Sequence, residues 1–175
     1  MHLVISSSLN PGSRSRVLAK AACQRLAATQ QSHELVDLRN LDLPVCDGDS
    51  CYAAADVQKM SQLIKGASGI LVATPIYNYD FNSAIKNLVE LTGRSWTDKV
   101  VGFLCAAGGP GSFMAPMSFA NSLMLDFHCL IIPRFVYATA DQFQGDEIAD
   151  TDLQDRLNQL VKQFCQVSKA VETTT

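Results

Sequence analysis

Three stretches of this sequence carry residue types suited to gripping a small anionic, aromatic ligand without reacting with it. Residues 6–16 read SSSLNPGSRSR, and they place the hydroxyls of Ser6, Ser7, Ser8, Ser13 and Ser15, the amide of Asn10 and the guanidinium groups of Arg14 and Arg16 just before a helical pattern. A helix start presents N–H groups without intrahelical acceptors and the positive end of the helix dipole, so this string suits a phosphate. The plain alternative is a Pro11-Gly12 turn with Ser13 as helix cap. Residues 73–90, ATPIYNYDFNSAIKNLVE, supply Pro75, Ile76, the aromatic surface of Tyr77, Tyr79 and Phe81, and the amides of Asn78 and Asn82. That mixture suits a flat heteroaromatic ring; its plain alternative is a core-covering loop in which Asn82 caps the next helix. In the third stretch, residues 106–113, AAGGPGSF, Gly108, Gly109 and Gly111 allow either close approach of a ligand or a tight turn at positive φ.

The elements that position these stretches follow from hydrophobic periodicity. Apolar runs at 2–6, 33–38, 69–74, 99–106 and 130–138 read as strands, and three of them are almost continuously apolar, as in a parallel sheet buried on both faces. Helical patterns lie at about 13–29, 56–66, 83–92, 114–126 and 152–170. The last is the clearest, with Leu153, Leu157, Leu160, Phe164, Val167 and Val171 three or four apart. Five β/α alternations predict an open α/β sheet with helices on both faces, in one domain over residues 1–172 and a frayed end at 173–175. In such sheets ligands bind beyond the carboxyl ends of the strands, where all three unusual stretches begin. Together they describe a site for a phosphorylated flat cofactor. Flavin mononucleotide (FMN) fits it, with its phosphate at the first loop and its ring over the other two.

Other chemistries find less support. The motifs G-x-x-x-x-G-K-[ST] and G-x-G-x-x-G are absent, which argues against a nucleotide hydrolase and a Rossmann dinucleotide site. None of the six cysteines has arginine six positions later, as a phosphotyrosine phosphatase requires. No metal is expected: there is no C-x-x-C, and His2, His33 and His128 are scattered. Cys46 and Cys51 stand in an exposed-looking CDGDSC loop, as a redox pair or as two incidental thiols. With 175 residues, 18% charged, and a formal net charge of −3, nothing points to nucleic acid. No apolar run approaches the roughly 18–20 residues of a membrane span, and the first residues form a strand pattern, so the cytoplasm is the expected compartment.

The chain resembles the NAD(P)H-dependent FMN reductases of the flavodoxin-like group, which include quinone, azo-dye and chromate reductases. Their first loop runs approximately G-S-x-R-x-x-S; here Ser8 and Ser13 match the serines, Ser7 stands for the glycine and Asn10 for the arginine. Against T-P-E-Y-N-x-S-x-P-G-x-L-K-N, residues Thr74, Pro75, Tyr77, Asn78, Lys86 and Asn87 agree, Ile76 replaces glutamate, and Asp80, Asn82 and Ser83 replace serine, proline and glycine. The resemblance runs from about residue 2 to 140. It implies a five-stranded parallel sheet of order 2-1-3-4-5. It also implies hydride transfer from NADPH or NADH to flavin N5 and onward to a flavin, quinone or similar acceptor, with no catalytic side chain. The binding residues it points to are Ser8, Asn10, Ser13, Arg14 and Ser15 for the phosphate and Pro75, Ile76, Tyr77 and Asn78 for the ring, with Gly108 and Gly109 at its margin. A homodimer or homotetramer is implied as well, with the apolar segments 83–92 and 114–127 as candidate interface helices or, equally, helices packed on the core. The alternative from another class is a non-enzymatic FMN-binding electron carrier or redox sensor of the same fold, although the usual [ST]-x-T-G-x-T carrier loop is absent. A fold-sharing protein that has lost its flavin is the third reading.

Overall fold

The computed structural model describes residues 1–172; the end expected to fray, 173–175, lies outside the described residues. Strands β1 (His2–Ser6), β2 (His33–Asp37), β3 (Gly69–Tyr77), β5 (Val100–Ala106) and β6 (Leu130–Ile131) form a parallel sheet of order β2-β1-β3-β5-β6. This is the expected order 2-1-3-4-5, with β5 and β6 as the fourth and fifth parallel strands. Short β4 (Asp80–Phe81) pairs antiparallel with the end of β3, and β7 (Val136–Ala138) continues the outer strand beside β5. A separate hairpin joins β8 (Phe143–Gln144) to β9 (Glu147–Ile148).

Helices α1 (Arg14–Ala28) and α5 (Thr151–Glu172) cover one face; α2 (Ala55–Gly66), α3 (Ser83–Thr92) and α4 (Pro116–Phe127) cover the other. Alternate residues of each strand serve the two cores. Val4, Leu71, Ala73 and Leu104 pack with Leu18 and Leu26 of α1 and with Leu157, Leu160 and Phe164 of α5. Leu3, Ile5, Ile70, Val72 and Phe103 pack with Met60, Ile85, Leu88 and Phe119 on the opposite side. Of the stripe read from the last helix, Leu153, Leu157, Leu160 and Phe164 are buried, and Val167 and Val171 are partly buried against the same core. Its packing needs Gly69, where an added Cβ would lie 2.7 Å from Phe164.

Two elements differ from the sequence reading. The run at 130–138 is not one strand: Pro133, which has no N–H to donate, lies between β6 and β7. β3 does not stop at Thr74 but continues through Pro75 and Ile76 to Tyr77, because β4 folds back on it with Ile76 opposite Phe81 and Tyr77 opposite Asp80. No described helix is long and apolar enough to cross a membrane.

Candidate functional site

The carboxyl ends of β1, β3 and β5 bring the three unusual stretches to one edge of the sheet. The first loop is shaped by Arg16, which is only 8% exposed. Its Nη1 donates to the carbonyls of Asn10 (3.1 Å) and Pro11 (2.9 Å), and its Nη2 to that of Ser8 (3.1 Å), while Nε donates to Asp37 Oδ2 at 2.7 Å. Asp37 ends β2 directly beside Ser6 of β1, so sheet register delivers the carboxylate to this position. Arg39 binds the same carboxylate at 2.9 Å. Burial acts to raise the Asp37 pKa, but hydrogen bonds from Arg39 and Arg16 outweigh it and hold the group below its ordinary value. Arg16 is therefore an internal brace. Of the two arginines in this string, Arg14 is the exposed one.

With the loop carbonyls drawn to Arg16, the start of α1 is left lined with donors. Ser8 and Ser15 are buried, Ser13 is half-buried, and the Ser13 and Ser15 Oγ atoms lie 2.8 Å apart. Ser13 occupies the cap position without making a side-chain cap bond, and no acidic residue stands in the first turn. The first amides of α1 lack intrahelical acceptors. Asn10 serves the loop itself: its Oδ1 accepts from Gly12 N at 3.0 Å, and its N–H donates to Ser8 Oγ at 3.3 Å.

The second stretch is a tight hairpin. Pro75 and Ile76 are buried in β3, and Ile76 belongs to the α2–α4 core. Asn78 and Tyr79 form the two-residue turn with φ of 50° and 63°, the type I′ geometry that twists with its strands. Asparagine tolerates that conformation, but tyrosine pays about 1 kcal/mol for it. Tyr77 and Tyr79 nevertheless stand 52% and 54% exposed at the tip. Asp80 fixes the hairpin base, accepting from Phe81 N, Ser118 Oγ (3.0 Å) and Lys86 Nζ (3.0 Å). Asn82, at the start of α3, makes no cap bond; its side chain reaches the first loop instead.

In the third stretch Gly108, Gly109 and Gly111 have no positive φ, and a Cβ added at any of them would meet nothing within 4 Å. Neither a positive φ nor an internal contact demands glycine there, so the strip offers open space to an approaching group. Tyr137 Oη, unnoticed in the sequence, donates to Gly109 O at 2.6 Å, and Phe113 packs on Tyr137 and Phe135. Hydroxyl and amide donors at a helix start, exposed aromatics and an open glycine strip are a donor set that fits FMN. The Cys46 and Cys51 Sγ atoms are 4.0 Å apart, and the Cys46 N–H donates to Asn87 Oδ1, at the far end of the second stretch, at 2.9 Å.

Residues 2–144 match the profile of the family described as NADPH-dependent FMN reductase. The chain belongs to that family. As a member it is an oxidoreductase whose cofactors are FMN and NADPH or NADH. It is 29% identical over 131 residues to an NAD(P)H-dependent FAD/FMN reductase of Geobacillus thermodenitrificans, covering 73% of this chain and 70% of that one. It is 26% identical over 164 residues to an NADPH azoreductase of Bacillus sp. strain OY1-2, covering 93% and 89%. Among solved structures, an NAD(P)H:(acceptor) oxidoreductase of Paracoccus denitrificans superposes with a TM-score of 0.80 at 22% identity over 97% of both chains, a likeness of fold.

The structure places Ser8, Asn10 and Ser13 on the first loop with Arg14 and Ser15 opening α1, Pro75 and Ile76 in β3 with Tyr77 and Asn78 at the hairpin, and Gly108 and Gly109 on the third loop. Sequence reasoning missed Arg16 as a brace, its partner Asp37, Tyr137, and the part played by Ser7, Thr74 and Asn82. Only the first had a legible signal: β1 and β2 are neighbours in the expected strand order, so Asp37 is bound to end beside the loop.

Proposed function

We propose that this chain holds FMN at the carboxyl edge of its sheet and uses it to pass reducing equivalents from NADPH or NADH to a flavin, quinone or similar small acceptor. The observation that carries the placement is the convergence of a donor-lined helix start with a glycine strip that nothing inside the protein requires. Ser8, Ser13 and Ser15, Arg14 and the first amides of α1 would hold the phosphate, with the Asn10 side-chain N–H₂ at its edge. The backbone of Pro75 and Ile76, together with Tyr77 and Asn78, would hold one side of the ring, and Gly108 and Gly109 the other. When bound, FMN supplies the hydride and electron chemistry. The protein's part is to fix the ring, to leave one face open to the nicotinamide and then to the acceptor, and to offer backbone N–H groups rather than a side-chain acid or nucleophile. The names of the flavin-reducing and azo-dye-reducing relatives support small organic acceptors.

Exposed Met117, Met124 and Leu125 on α4, beside a cleft of about 720 Å³ between α3 and α4, support pairing of these helices in a homodimer or homotetramer. Six free thiols among the described residues support work in a reducing compartment such as the cytoplasm.

Steady-state oxidation of NADPH and NADH, with FMN and a benzoquinone supplied, tests this reading. Continuous turnover that requires FMN, with either the quinone or excess free flavin as acceptor, is the expected result. FMN binding without turnover would make the chain a carrier, and no binding would refute the placement.

A further inference from the structure

Ser7 and Asn82 are two of the positions at which this chain departs from the family pattern, and the structure joins them. Ser7 Oγ donates to Asn82 Oδ1 at 2.9 Å, and Asn82 Nδ2 donates back to the Ser7 carbonyl at 2.8 Å. Thr74 Oγ1 donates to the same Asn82 Oδ1 at 3.1 Å. Ser7 and Thr74 are fully buried and Asn82 is 6% exposed, so water cannot substitute for these partners. The amide orientation is determined, because only the N–H₂ end can face the Ser7 carbonyl. Ser7 also donates its backbone N–H to Ala73 O at 2.9 Å, extending the β1–β3 ladder one residue beyond the strand. The clasp thus ties the first residue of the phosphate loop to both ends of the aromatic hairpin: Thr74 before it and Asn82 after it.

We infer that Asn82 is a positioning residue that sets the spacing between the phosphate-holding loop and the ring-holding hairpin, through Ser7 and Thr74. A glycine and a proline at these two positions could not form this pair, since neither side chain carries a hydrogen-bonding group. In this chain the two departures meet as a polar pair that joins the two loops. The inference rests on the placement of FMN proposed above. FMN must satisfy both loops at once, whereas riboflavin, lacking the phosphate, needs only the hairpin and the glycine strip. Releasing the clasp should therefore cost FMN more than riboflavin. A general loss of folded protein would lower both apparent affinities equally.

Calorimetric titration with FMN and with riboflavin, on wild type, Asn82→Ala, Ser7→Ala and the double variant, tests this. The preference for FMN over riboflavin is expected to fall about tenfold in Asn82→Ala and to fall no further when Ser7→Ala is added, because both changes open the same clasp. Circular dichroism melting identifies the folded variants; should Asn82→Ala not fold, Ser7→Ala alone is read, with a smaller fall expected. An unchanged preference in a folded variant, or fully additive effects of the two substitutions, would overturn the inference while leaving the FMN site standing. A wild-type protein that binds FMN no better than riboflavin would overturn the phosphate placement, and the inference with it.

Discussion

Replacing Arg16 with methionine tests the idea that an internal cation shapes the phosphate loop. Methionine keeps the unbranched stem and removes the guanidinium, so the carbonyls of Ser8, Asn10 and Pro11 lose their donor and Asp37 loses its 2.7 Å partner. Breaking a buried ion pair from one side costs about 3–5 kcal/mol. The low end applies here, because Arg39 still holds Asp37 and water can reach the exposed residues 9–12. A loss of about 3 kcal/mol corresponds to a melting temperature lower by on the order of 10 °C for a chain of this size. Far-UV circular dichroism of the flavin-free protein measures that fall. The same variant, titrated below its melting range, is expected to lose FMN affinity about tenfold or more while riboflavin changes little, since the distorted loop serves only the phosphate. Arg16→Lys should recover less than half of the stability, because an ammonium cannot span three carbonyls and a carboxylate in fork geometry. A melting temperature within about 2 °C of wild type, with FMN affinity unchanged, would refute the reasoning.

Three further outcomes follow from the same geometry. Tyr79→Gly removes the cost of positive φ at the hairpin tip, so the flavin-free protein should melt about 2–4 °C higher while flavin binding weakens; a lower melting temperature would mean the tyrosine stabilises the hairpin. Gly109→Ala adds a methyl into open space, so thermal stability should hold while FMN affinity drops; an unchanged affinity would place the ligand elsewhere. The Asp37 pKa lies below its ordinary value in the folded protein, so its contribution to stability is complete above about pH 4 and disappears as pH falls through the lowered value. Urea denaturation across pH 2–7 should therefore show a shallower acid loss in Asp37→Asn than in wild type, and parallel curves would contradict the pairing.

Most of the architecture was legible in the sequence, because it is written in periodicity. The all-apolar runs of β3 and β5 announce central parallel strands, and the spacing in α5 announces a one-sided helix. The donor-rich loop could be placed for the same reason: the fold puts every β-to-α loop of such a sheet at one edge. What stayed hidden depends on partners distant in sequence. Pro75 looks like the end of a strand until β4 returns to pair with the residues beyond it. Asn82 looks like a helix cap, yet it spends its side chain on Ser7, 75 positions earlier. Arg16 looks like a phosphate ligand until Asp37 neutralises it. The glycines at 108, 109 and 111 were ambiguous between a turn at positive φ and a contact surface, and the backbone angles exclude the first.

The placement of the phosphate at the start of α1 is tested most directly by titrating wild type and the Ser13→Ala, Arg14→Ala double variant with FMN and with riboflavin. Two charge-assisted contacts to a phosphate are worth about 3 kcal/mol together. The double variant is therefore expected to bind FMN about 100-fold more weakly than wild type and riboflavin with little change. Equal weakening of both ligands, or none, would contradict the account and make this loop a structural turn.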